Sequence, residues 1–473
     1  MNKRLALSLA AAGLLTACSL APTYHRPTAP VANAYPTPTA ETSANAASIG
    51  WREFFPDQRL QTLIEAALAN NRDLRIAALR IEEARAQYNI QSADLLPTLN
   101  ATASGARSRT PANLSPTGRA TVNSSYQVGL GITSFELDFF GRVRSLNDAA
   151  LAQYLASEEA ARAARISLVA EVAKAYLAER AFAEQYELAR KTLESRDAAY
   201  KLAKQRFDVG ASSALDLRQN EVLVQTARAS LATLTRQRAQ ATNALTLLVG
   251  KPLAASLPPE QSLDAQNIVT DIPAGLPSDL LTRRPDIRAA EQRLKAANAN
   301  IGAARAAFFP RISLTAGIGT ASNALDGLFD AGSRTWSFAP QLLLPIFDAG
   351  RNSASLSLAE VRNNIAVADY EKSIQTAFRE VADTLAARAT LEDQVAAQRA
   401  VLDADADRLK LAEQRYQNGV ASSLDVLDAE RELFSAEQSL VQARLLRLTN
   451  AIDLYRALGG GINEASPQAV RQD

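Results

Sequence analysis

The chain has 473 residues, with 51 Lys and Arg against 50 Asp and Glu, one His, one Cys and a formal net charge of +1. That balance excludes attraction to a polyanion as the basis of function, so no nucleic-acid partner is expected. The lone cysteine excludes an internal disulfide, and the lone histidine, His25, leaves no Ser-His-Asp set and only carboxylates for a metal. Neither enzyme chemistry nor a metal site is expected.

Residues 1–17 read as an export signal. Lys3 and Arg4 form a basic start, and Leu5 to Leu15 form an apolar stretch too short to span a bilayer. Leu15-Thr16-Ala17-Cys18 resembles a bacterial lipoprotein cleavage box, with Cys18 as the lipidated residue. That covalent lipid is the only prosthetic group expected. Ser19 in the next position, rather than Asp, resembles lipoproteins sorted to the outer membrane. A single acyl chain holds only marginally, so stable anchoring needs several chains or further apolar contact. From Ala21 to Ala47 the chain is rich in Pro, Thr and Ala and reads as an extended tether.

The remainder says the same thing twice. Asn71-Arg72-Asp73-Leu74-Arg75 aligns with Arg284-Pro285-Asp286-Ile287-Arg288, and Pro97 with Pro310, at an offset of 213. Farther on, Gly141 aligns with Gly350, Gln205-Arg206-Phe207 with Gln414-Arg415-Tyr416, and Leu215-Asp216 with Leu424-Asp425, at an offset of 209. Each unit reads helix, strand pair, long helix, sharp break, helix. Residues 142–209 and 351–418 contain neither Gly nor Pro, and further such runs lead from Gly210 to Gly250 and from Gly419 to Gly459. One continuous helix of that length would reach ~100 Å, which calls for a coiled coil or helical array. Apolar residues recur at spacings of three and four: Tyr370, Ile374, Phe378, Val381, Leu385; Val441, Leu445, Leu448, Ile452, Tyr455; and Leu231, Leu234, Ala241, Leu245, Leu248.

Strands are expected between Pro and Gly in each unit. Tyr126, Val128, Leu130 and Ile132 alternate with polar or small residues, as do Ile312, Leu314, Ala316 and Ile318. Such strands suit either a membrane barrel or a sheet packed on its own core. Trp336, Phe338 and Tyr126 would suit an interfacial girdle. No apolar run after the signal is long enough for a transmembrane helix. Two hairpins supply four strands, whereas the smallest bacterial barrels have ~8, and open edges cannot sit in lipid. Strands of this kind in a membrane require two, three or four chains to share one barrel.

The Leu15–Cys18 box, the run Leu281-Thr282-Arg283-Arg284-Pro285-Asp286-Ile287-Arg288, Phe309-Pro310, Arg415-Tyr416-Gln417-Asn418-Gly419-Val420 and Leu424-Asp425-Val426-Leu427-Asp428-Ala429-Glu430 carry a resemblance. Over essentially all of its mature length the chain resembles the TolC-type outer membrane factor family, and within it the NodT-like lipoproteins of resistance-nodulation-division efflux systems. The resemblance implies a mainly α fold with a transmembrane β-barrel. A homotrimer would share 12 strands, four from each chain, above a long periplasmic α-helical barrel. It implies a non-enzymatic exit duct of a tripartite pump, in the outer membrane and reaching into the periplasm. Drugs, toxic solutes or metal ions would pass outward through it, with a periplasmic adaptor and an inner-membrane transporter as partners.

On that basis the domains are a signal at 1–17, a lipidated tether and equatorial segment at 18–56, repeat 1 at 57–250 with a hairpin at about 98–139, and an equatorial linker at 251–278. Repeat 2 follows at 279–459 with a hairpin at about 311–347, and a tail at 460–473. The sharp breaks at Gly210 and Gly419 are expected at helix tips farthest from the strands, with Ser212-Ser213 and Ser422-Ser423 capping the helices that follow. Asp216 and Asp425 there suit the helix dipole, while Asp425 and Asp428, three apart, could instead form stacked carboxylate rings at a cation-selective constriction. The resemblance places Leu424, Asp425, Asp428 and Arg431 at the family's periplasmic constriction, with Tyr416 and Asp216 as partners holding it closed. Ala421 stands where some relatives carry a bracing Arg. An Asp216–Tyr416 hydrogen bond and pairing of Arg431 with a neighbouring chain's Asp428 are therefore expected. Rival readings are the same scaffold serving protein secretion, and a periplasmic coiled coil without a pore.

Overall fold

The computed structural model describes residues 19–36, 49–116, 118–254, 256–269, 272, 274–275 and 277–461. The export signal, Cys18 and residues 462–473 lie outside the described residues. Helices α1 (Trp51–Phe54) and α2 (Gln58–Asn70) precede a first pass of α3 (Arg72–Ala93), β1 (Leu99–Thr110), β2 (Thr121–Glu136), α4 (Arg142–Asp208) and α5 (Ala214–Val249). A connection with a 3-10 turn at Leu263–Ala265 leads to α6 (Pro277–Arg283), which begins inside the segment read as linker. The second pass is α7 (Pro285–Ala306), β3 (Arg311–Ser322), β4 (Arg334–Leu343), α8 (Arg351–Gln417) and α9 (Ser423–Ala457). The chain is mainly helical, and α4 and α8 each run unbroken for 67 residues. Among the described residues no helix is long and apolar enough to cross a membrane.

The described residues divide into two compact units, the first drawn from 19–28, 80–158 and 289–371 and the second from the remainder. In the first unit the strands form an antiparallel meander in chain order, with β1 and β4 as unpaired edges. The register sets Leu99 against Ile132, Leu130 against Ile318 and Ile318 against Trp336, so these residues share one face. Ala101, Ala316, Phe338 and Leu342 join them by the strand period of two. That face is uncovered: Trp336 is 78% exposed, Phe338 63%, Ile318 50% and Leu130 49%. A one-residue slip between Ile132 and Phe135, with Ser134 at φ 55°, returns Phe135 to the same face opposite Leu314.

The opposite face carries Asn100, Thr102, Gln127, Ser337 and Gln341, together with the facing pairs Gly129–Gly319 and Gly131–Gly317. Here the backbones leave no room for side chains. A Cβ on Gly319 would lie 2.3 Å from the Val128 carbonyl oxygen, and one on Gly129 2.8 Å from that of Ile318. In the same unit, Ala149 and Ala152 of α4 pack on Ala296 and Ala299 of α7, small side chains that let helices approach closely. The segment after Cys18 docks on α7. Arg305 donates to the Leu20 carbonyl (3.4 Å), Asn298 to that of Pro22 (2.7 Å), and Arg26 and Tyr24 both donate to the Glu291 carboxylate.

The second unit holds an aromatic core of Trp51, Phe54 and Phe55 with Tyr455 of α9, whose ring stacks on Phe54 at 4.1 Å. Asp57 caps α2 and, fully buried, also accepts from the Tyr176 hydroxyl (2.7 Å) and the Gln266 amide (2.8 Å). The two repeats are clasped in the same way. Asn71 donates to the Leu248 carbonyl (2.9 Å) at the end of α5, and Arg284 to the Ala457 carbonyl (3.1 Å) at the end of α9. Arg284 further holds Glu380 and Asp286, which explains an arginine so deeply buried. The expected apolar stripes lie mostly inside, with Tyr370, Ile374, Val381, Leu385, Val441, Leu448, Ile452 and Tyr455 buried. In α5 the stripe is rotated: Leu231 and Leu248 are half-buried, and Val224, Ala227, Leu234, Leu245 and Val249 form the core face.

Candidate gate at the helix turns

Each long helix stops because a glycine takes a backbone conformation that other residues avoid. Gly210 has φ 75° and Gly419 φ 74°. The amide of the next residue reaches back five positions, Ala211 to Arg206 (2.7 Å) and Val420 to Arg415 (2.9 Å), closing the helix end. The following helix then starts on a capping box. Ser213 and Asp216 cap α5, and Ser422 and Asp425 cap α9, each serine hydroxyl accepting from the aspartate amide while the carboxylate accepts at the serine. Of each serine pair, one member caps. The other, Ser423, does something else.

The Ser423 hydroxyl donates to Asp216 Oδ1 at 3.2 Å, joining the α8–α9 hairpin to the α4–α5 hairpin. A second bond crosses the same gap, from Arg206 Nη1 to the Tyr416 hydroxyl at 2.9 Å. The expected Asp216–Tyr416 pair is thus replaced: Asp216 is occupied by Ser213 and Ser423, and Tyr416 by Arg206. Arg431 pairs with Asp428 of its own helix at 3.3 Å and with Glu432 at 3.1 Å. Three positions apart on one helix, the Arg431 and Asp428 side chains share a face. The Ser213 hydroxyl first, then its backbone amide and the Ser423 hydroxyl, hold the Asp216 carboxyl below the ordinary carboxylate range.

The two repeats are unequal here, and the inequality defines the site. At the offset of 209, Tyr416 faces Phe207 in the first repeat, Ser423 faces Ala214, Asp428 faces Gln219 and Arg431 faces Val222. Each cross-hairpin bond therefore uses a group that one repeat has and the other lacks. Leu424, beside Asp425, is exposed, as are Val209 and Val420 at the turns. Behind them the buried Arg196 guanidinium lies over the Phe434 ring at 5.5 Å, and burial lowers its pKa while raising that of nearby Glu430. Arg206 and Arg196 were given no role from sequence, and Ser423 was read only as a cap. The only available signal was the mismatch between repeats. Among the described residues no group of His, Cys, Asp and Glu is arranged to hold a metal ion.

A family model described as outer membrane efflux protein matches residues 63–251 and 276–460, one repeat each. The chain is 50% identical to the antibiotic efflux pump outer membrane protein ArpC of Pseudomonas putida, over 100% of this chain and 98% of that protein. It is 52% identical to the outer membrane protein OprJ of Pseudomonas aeruginosa, over 97% of this chain and 96% of that one. Among solved structures, the open-state MtrE outer membrane channel of Neisseria gonorrhoeae superposes with a TM-score of 0.87 at 44% identity, covering 94% of this chain and 99% of that one.

Proposed function

The chain belongs to the outer membrane efflux protein family, and on that premise we propose that three copies pool their strands into one 12-stranded barrel above a gated duct. The protein is the outer-membrane channel of an efflux pump. The observation that carries the shared barrel is the four-stranded sheet with an uncovered apolar face and two open edges. Lipid satisfies the apolar face but not the edges, where each unpaired backbone group costs several kcal/mol. Only another copy's strand can cover them. Helix α3 supports the same reading, since none of its residues is buried and Ile76, Leu79 and Ile90 are exposed.

The internal repeat gives the register of the missing seam. Leu137 donates to the Ile312 carbonyl at 2.8 Å, and its repeat counterparts are Ile346 and Leu99. With Ile346 of one copy against Leu99 of the next, and no bulge in β4, Leu342 falls opposite Ala103 of the next subunit and Trp336 opposite Arg109. The Leu342→Cys/Ala103→Cys double variant is expected to oxidise into covalent dimers and trimers in the membrane, and each single variant to stay monomeric on a denaturing gel. A ladder running past three, or none at all, would sink the shared trimeric barrel.

The lipid on Cys18 fits this placement, because Leu20 is held by Arg305, six residues before β3 begins at Arg311. Leu424, Asp425 and Asp428 would ring the constriction, with Arg431 offsetting part of their charge. Opening falls to a periplasmic adaptor seated on the helix turns, joined to an inner-membrane transporter of the resistance-nodulation-division type that supplies the energy.

A further inference from the structure

Residues 95–135 contain no Asp or Glu, yet they carry Arg107, Arg109 and Arg119. Two of these arginines stand on the apolar face. Along β1 the alternation that sets Leu99, Ala101 and Ala103 on that face continues to Arg107 and Arg109, paired with Ser124 and Val122 of β2. At the same end of the sheet Arg334 pairs with Thr320, two residues beyond Trp336 and Ile318, and so shares their face. All three arginines are exposed, and among the described residues none has an ion pair. The contrast within the same sheet is Arg311, which lies on the opposite face and is neutralised by Glu136.

From Leu99 to Arg109 the strand climbs about 25 Å along the membrane normal, at ~3.3 Å per residue and ~40° tilt. That is the height of the apolar band, so the arginines emerge where hydrocarbon ends and headgroups begin. Guanidinium groups at that level take phosphate as forks of parallel hydrogen bonds. The repeat-derived seam brings a third member to them. Trp336 stands opposite the next subunit's Arg109, with Arg334 one step above it, on the rim of the outer leaflet.

We propose that Arg334 of one subunit, with Arg107 and Arg109 of the next, binds the phosphate groups of the outer-leaflet glycolipid. The occupant is a glycolipid because the site is continuous with the lipid-facing surface below it, where Phe338 and Leu342 meet acyl chains. The inference rests on the shared-barrel reading for the arrival of Arg334 and for which face meets lipid. A phosphate site at this seam would tie two subunits together by a lipid held between them.

Native mass spectrometry of the detergent-purified trimer with bisphosphorylated lipid A tests it. Retained lipid A is expected to fall about tenfold in the Arg107→Gln/Arg109→Gln variant. It should fall several-fold in Arg334→Gln, and stay unchanged in Arg119→Gln, whose side chain lies on the connection beyond the face. Lipid A stripped of both phosphates should bind the unmodified protein as weakly as the double variant does. Undiminished lipid A in the double variant or in Arg334→Gln would overturn the site. So would displacement of lipid A by equimolar phosphatidylglycerol or inorganic phosphate. Single-channel conductance shows that each variant is folded and assembled. The Leu342–Ala103 cross-link reads the barrel separately, so the failure of one reading is not mistaken for that of the other.

Discussion

A channel carrying both Tyr416→Phe and Ser423→Ala is expected to conduct far more than the parent protein in planar bilayers. The two substitutions remove the cross-hairpin bonds, Arg206 to Tyr416 and Ser423 to Asp216, and leave the caps at Ser213 and Ser422 in place. At these largely exposed positions each bond contributes on the order of 0.5–1.5 kcal/mol net, hence about 1–3 kcal/mol per subunit. Three subunits moving together would multiply this to about 3–9 kcal/mol, and since every ~1.4 kcal/mol is tenfold, the open population should rise by at least ~100-fold. Arg431→Ala in the same assay should change ion selectivity more than open time, because Arg431 pairs within its own helix. Conductance unchanged in the double variant would end the assignment of these bonds to the gate.

Acid supplies a second arm of that experiment. Because the folded Asp216 carboxyl sits below the ordinary range, its link is present at neutral pH and is lost as pH falls through that lowered value. The parent channel should therefore open on strong acidification, and the Ser423→Ala channel should show little further change. A channel whose open population rises toward alkaline pH instead would contradict the sign.

The larger effect on stability is expected from Asp57→Ala. The carboxylate is buried and accepts from the Arg59 amide (2.8 Å), the Tyr176 hydroxyl (2.7 Å) and the Gln266 amide (2.8 Å). Burial first, and then this hydrogen bond, raise the pKa of the Tyr176 hydroxyl and keep it a donor. Losing the helix cap costs about 1 kcal/mol and orphaning each of the two buried donors about 1–3 kcal/mol, a total of roughly 3–7 kcal/mol. Calorimetry should show the transition containing this unit falling by roughly 10 °C, with Asp57→Asn in between because its amide oxygen still accepts. A fall below about 2 °C would mean that water replaces the carboxylate, and that the buried triad is no keystone.

The helices and their ends were legible in the sequence for a simple reason. A turn that needs positive φ demands glycine, and runs without Gly or Pro mark what lies between. The strands were half legible. β2 and β3 alternate large apolar with small residues, whereas β1, with Ala101 and Ala103 where a membrane strand often has Leu, gave almost no signal. What stayed hidden were contacts set by approach rather than periodicity. Asp57, Tyr176 and Gln266 lie far apart along the chain, and Arg206 meets Tyr416 only because two hairpins lie side by side. The expected Asp216–Tyr416 bond had the right residues with the wrong pairing, since nothing in the order of residues says that Ser423 reaches Asp216 first.

The facing glycines of β2 and β3 bear on what such a duct can carry. Where Gly129 meets Gly319 and Gly131 meets Gly317, the face turned from the apolar side is bare peptide flanked by the short uncharged side chains of Asn100, Thr102 and Ser337. A surface of that kind has no ring to stack on and no charge to attract. If this face lines the bore of the proposed barrel, discrimination by charge or by aromatic character has to happen elsewhere along the duct.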